Sequence, residues 1–98
     1  MSNKKYREEV STIIQNGFTN FIANGNPDEL EFRLWLGARK HYYQFRLENI
    51  IVSRKPTTSI EILNMLQEEV DKIKETTFVT LSPLQPEADI INVANREN

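Results

Sequence analysis

Two short runs of alternating side chains limit what this chain can fold into more than any other feature. In the first, Leu30, Phe32, Leu34 and Leu36 alternate with Glu31, Arg33 and Trp35. In the second, Tyr43, Phe45 and Leu47 alternate with Tyr42, Gln44, Arg46 and Glu48. A period of two is that of a strand with one buried face. On a helix, Leu30 and Phe32 would stand about 200° apart and no single apolar face would form.

With residues 37–40 as a four-residue hairpin loop, the two runs pair consistently. Leu34 meets Tyr43, Phe32 meets Phe45 and Leu30 meets Leu47 on one face. Trp35 meets Tyr42, Arg33 meets Gln44 and Glu31 meets Arg46 on the other. Such cross-strand pairs contribute about 0.2–1 kcal/mol each. A slip of one residue would set apolar against polar throughout. The expectation is an antiparallel hairpin over 30–36 and 41–52, fraying where Glu29 would face Glu48. One local signal opposes it: Asn26-Pro27-Asp28-Glu29 carries the cap residue, proline and acids of a helix start.

The flanking segments read as helices. Tyr6, Val10, Ile13, Ile14, Phe18, Phe21 and Ile22 recur at steps of three and four, the period of an amphipathic helix from Lys4 to Ala23. Asn16-Gly17 is a candidate break in it, and Asn24-Gly25-Asn26-Pro27 ends it. Thr58-Ser59-Ile60-Glu61 has the form of a capping box. The helix it opens runs to about Glu75, with Ile62, Leu63, Leu66, Val70 and Ile73 as its buried stripe and Glu68 and Glu69 near its wet side. Thr77 to Leu81 is β-branched and aromatic and reads as a third strand.

The sequence therefore predicts an α+β two-layer domain in the order α-β-β-α-β, with a short helix at its end as an optional further element. Residues 1–83 form the domain, and residues 84–98 form a proline-flanked segment, either a short helix or a tail.

Composition removes many functions. The chain has 98 residues, no cysteine and one histidine, His41. A disulfide framework, a thiolate zinc site, an iron–sulfur cluster and a Cys nucleophile are excluded, and one histidine does not make a His-built metal site. The three glycines, Gly17, Gly25 and Gly37, are isolated and form no phosphate loop. The serines have no nucleophile-elbow context for a Ser/His/acid set. Acidic pairs at Asp28/Glu29 and Glu68/Glu69 leave carboxylate acid–base chemistry as the weakest of three readings. No cofactor and no metal is expected. The longest strongly apolar run, Ile50-Ile51-Val52, does not span a bilayer. A cytoplasmic protein without a membrane partner is expected.

Charge is unevenly spread. From Arg33 to Lys55, six basic residues face one acid, Glu48, a local charge of +5; the remainder, with six basic and thirteen acidic residues, carries −7. On the outer face of the hairpin, Trp35 and Tyr42 stand beside Arg33 and Arg46, with Arg39 and Lys40 in the loop. Trp, Tyr and Arg are the residue types most often found as interface hot spots. The same set can stack bases and neutralise phosphates. The expected function is that of a non-enzymatic interaction or regulatory protein. It binds a protein partner, a second copy of itself included, through Trp35, Tyr42, Arg33, Arg39, Lys40 and Arg46. Nucleic-acid or nucleotide binding through the same face is the alternative.

Overall fold

The structure, a computed structural model, describes residues 3–79. Four α-helices make up its frame: α1 (Asn3–Asn24), α2 (Leu30–Gly37), α3 (Lys40–Ser53) and α4 (Ser59–Ile73). A 3-10 turn over Pro27–Glu29 leads into α2, and a π-helical turn over Lys74–Phe78 prolongs α4. Among the described residues there is no strand. The α+β architecture and the hairpin over 30–36 and 41–52 are thus replaced by a helical bundle.

The reason lies in how a period-two run falls on a helix. Residues four apart share a helix face, so the first run divides into two pairs. Phe32 and Leu36 turn inward and are buried, whereas Leu30 and Leu34 turn outward and are 50% and 65% exposed. In α3, Leu47 is buried and Tyr43 packs on the core, while Phe45 is 66% exposed. Three exposed apolar side chains are ordinary on a folded surface, and the inward ones join one continuous core. The helix start at Asn26 is real: its side-chain oxygen accepts from the Asp28 backbone N–H at 2.9 Å. A short β-branched and aromatic stretch is a weak guide by itself: Thr77 to Val79, expected as the start of a third strand, are helical. Leu81 and residues 84–98 lie outside the described residues.

α1 is continuous through Asn16-Gly17. Gly17 is there for space: a Cβ on it would lie 2.9 Å from Leu66 Cδ2 and 3.0 Å from Leu63 Cδ2 on α4. Its lost helix propensity, about 1 kcal/mol, is offset by the close approach of α1 to α4. Val10, Ile14 and Phe18 of α1 join Phe32, Leu36, Leu47, Ile51, Ile62, Leu66 and Val70 in the buried core. Leu63, expected in the stripe of α4, is 45% exposed, whereas Glu69, expected near the wet side, is buried beside Arg54 and Lys72. The linker between α3 and α4 is held down by the Tyr6 hydroxyl, which donates to the carbonyl of buried Pro56 at 2.6 Å.

The capping box of α4 is present. Glu61 N–H donates to Thr58 Oγ1 at 3.1 Å, and Thr57 N–H, Thr57 Oγ1 and Thr58 N–H converge on Glu61 Oε1. The Thr57 backbone N–H, then its hydroxyl, hold the Glu61 carboxyl below its ordinary range. Because the folded state favours the ionised form, this contribution is whole above the carboxylate range and fades as pH falls through it. Thr58→Ala should cost about 1 kcal/mol. The melting-temperature gap between the native protein and Glu61→Gln should narrow as the solution is acidified. A gap that persists unchanged in acid would contradict this.

Candidate functional site

The six residues singled out in the sequence do not share one face. Arg33 is buried, 8% exposed. Its guanidinium donates to the carbonyls of Ile22 (3.1 Å), Ala23 (2.8 Å) and Asn26 (3.3 Å). These lie at and just beyond the end of α1, where backbone carbonyls lack helical partners. Arg33 is therefore a structural cap and is removed from the docking surface.

Trp35 is half-buried. It packs on Phe32, Tyr43 and Phe78 with ring centroids 5.4–6.2 Å apart. Arg39 covers its remaining face: the guanidinium carbon is 4.4 Å from the ring centroid, and Nη1 donates to the Trp35 carbonyl at 2.9 Å. So Trp35 supports the surface from below rather than offering an open indole. Trp35 and Tyr42 do not stand as a cross-strand pair; the link runs through Tyr43, whose ring meets Tyr42 edge-on at 4.9 Å.

Four of the six remain at the surface, and the helix explains their order. Arg39, Tyr42 and Arg46 follow at steps of three and four around the start of α3, with Lys40 beside them. Tyr42 is 60% exposed. Arg46 lies over its ring at 5.7 Å and donates to its hydroxyl at 3.4 Å. Two concavities meet at the Tyr42–Tyr43 pair. One, of about 600 Å³, sits at the corner between α2 and α3 and is lined by Arg39, Lys40, Tyr42 and Tyr43. The other, of about 470 Å³, is a groove between α3 and α4. Tyr43, Leu47, Ile50 and Ile73 make its apolar floor, Arg46, Lys72 and Glu69 its charged rim, and Thr76 and Thr77 its far end.

The groove was hidden in the sequence because its lining comes from two separate helices. Half of it was legible once α3 is read as a helix: Tyr42 and Arg46, like Tyr43 and Leu47, are four apart. Lys40 and His41 also border a polar groove between α1 and α3 with Asn16, Asn20, Asn24 and Gln44. His41 is exposed at the start of α3. Glu48, the single acid of the basic segment, accepts from Ser11 (3.3 Å) and Gln44 (3.2 Å) and ties α1 to α3.

Among the described residues, no cluster of three His, Asp or Glu side chains is placed to hold a metal ion, and no helix is long and apolar enough to cross a membrane. The fold and its surface define a small helical bundle bearing an open groove with an apolar floor and a mostly cationic rim. No protein-family model, no curated protein and no solved structure matches the chain.

Proposed function

We propose that the protein is a non-enzymatic interaction module that takes a short apolar segment carrying acidic residues of a protein partner into the α3–α4 groove. The observation that carries this reading is the groove itself. An apolar floor of Tyr43, Leu47, Ile50 and Ile73 is bordered by exposed Arg46 and Tyr42. Apolar side chains in such a cleft supply affinity, and the cations select and steer acidic partners. Acid–base catalysis has less support, because three of the four acids in the two sequence pairs hold cations: Glu29 holds Lys74 at 2.8 Å, and Glu68 and Glu69 share Arg54. Neither a cofactor nor a metal is needed for this role. A cytoplasmic setting belongs to the same proposal.

Selection of peptides from a random library on the immobilised full chain tests it. Peptides joining aliphatic residues to Asp or Glu should be enriched. Arg46→Glu with Tyr42→Ala should weaken their binding at least tenfold, or about 1.4 kcal/mol, with the melting temperature unchanged. Equal binding by the variant overturns the proposal. Tight binding of labelled oligonucleotides that collapses with added salt would instead favour a nucleic-acid partner.

A further inference from the structure

Lys55, in the linker between α3 and α4, has a φ of 54°, the only positive φ among the described residues. That region is costly for a residue with a Cβ and open to glycine. Lys55 also precedes Pro56, which narrows its backbone further. The conformation is pinned on both sides. The Lys55 N–H donates to the Val52 carbonyl at 3.1 Å, and the carbonyl of buried Pro56 accepts from the Tyr6 hydroxyl.

A left-handed residue after a helix is a common stop, but glycine or asparagine usually supplies it. A cation at this end also favours the helix dipole. Arg54, one residue earlier, brings that charge with ordinary backbone angles, φ −86° and ψ −5°. Neither the turn nor the dipole therefore requires lysine at this position.

Lys55 borders a recess of about 600 Å³ between the start of α1 and the linker, within the size range of small-molecule sites. Tyr6, Val52 and Pro56 give it an apolar lining. Arg7 and Lys55 are its two cations, and no acid lines it. Among the described residues neither cation is in an ion pair. Arg7 donates to the neutral amide oxygen of Asn49. Glu61, which reaches Thr57, is committed to the N–H and O–H groups of the α4 cap.

The geometry points to this recess as a binding site for one medium-chain fatty carboxylate, its chain on Tyr6, Val52 and Pro56 and its head group on Arg7 and Lys55. A guanidinium suits the two oxygens of a carboxylate, and the aliphatic chain gains by leaving water. The recess shares no residue with the α3–α4 groove and does not depend on it.

Octanoate, titrated into the full chain and followed by amide chemical shifts, tests the site. The amides of Arg7, Val52, Ser53 and Thr57 should shift and saturate. Octanol, which lacks the charge, should bind about tenfold more weakly. Lys55→Gly should weaken octanoate about fivefold while raising the melting temperature by up to about 5 °C, because the strained φ is relieved. Lys55→Asn, which also accepts a positive φ, should weaken octanoate to a similar extent, as should Arg7→Gln. No saturable shift at these amides overturns the inference, and so do equal affinities for octanoate and octanol. A lower melting temperature in both Lys55 variants would make the lysine structural and overturn it as well. A response to vesicles of anionic phospholipid without one to octanoate would assign the two cations to a membrane surface, against the site proposed.

Discussion

Phe32→Ala is expected to destabilise the protein by about 3–5 kcal/mol, the range for removing a buried aromatic ring. For a domain of this size that lowers the melting temperature by about 12 °C or more. The ring is 2% exposed. It meets Phe21 of α1 edge-on at 6.0 Å, Trp35 of α2 at 6.2 Å and Phe78 of the π-helical turn at 5.2 Å. Alanine would leave a void bounded by three elements, and aromatic pairs worth about 0.5–1.5 kcal/mol each beyond simple burial would go with it. Phe45→Ala makes the informative contrast. Phe45 is 66% exposed, so its replacement should change stability by no more than about 0.5 kcal/mol. In an antiparallel hairpin these two residues would face each other in one core and cost similar amounts. Thermal melts of the two variants therefore separate the helical bundle from the hairpin with a single comparison, and similar losses would refute the bundle.

The same two residues show how far the sequence can be read. Their alternation is genuine, and the pairing it suggests is internally consistent. Consistency between neighbouring runs nevertheless carries less weight than the match of each run to the rest of the core, where α1 offers Phe18, Phe21 and Ile22 to an inward-facing Phe32 and Leu36. A helix that exposes Leu30, Leu34 and Phe45 breaks the rule that apolar residues go inside, yet an exposed leucine is ordinary in a folded protein. α1 and α4 were legible because their period of 3.6 runs over many turns and their ends carry explicit stops and caps. Thr58 and Glu61 illustrate the strongest kind of local signal, a side-chain exchange that fixes one end of a helix by itself. For the surface, residue types were a better guide than placement. Arg39, Lys40, Tyr42 and Arg46 do gather near one corner, but as steps around a helix, and Arg33, three residues before buried Leu36 and so on the same side of α2, turns inward to the end of α1.

Arg33→Met is expected to cost about 2–4 kcal/mol, from the loss of hydrogen bonds to a charged group and the exposure of their carbonyl partners to an apolar neighbour. Methionine preserves most of the stem but donates nothing. The carbonyls of Ile22 and Ala23 would then keep no partner from this residue, at the end of α1 where the helix dipole is negative and a cation is favoured. Lysine is a poor substitute. One ammonium does not reproduce a planar fork that reaches three carbonyls at 2.8–3.3 Å, so Arg33→Lys should recover about half of the loss or less. Gly25 is part of the same arrangement: a Cβ there would lie 2.5 Å from the Phe21 carbonyl oxygen and 3.1 Å from Arg33 Cδ. Urea unfolding of Arg33→Met should show a lower midpoint with an unchanged slope. An unchanged midpoint, together with weaker binding of acidic peptides, would put Arg33 back on the docking surface and contradict its place at the end of α1.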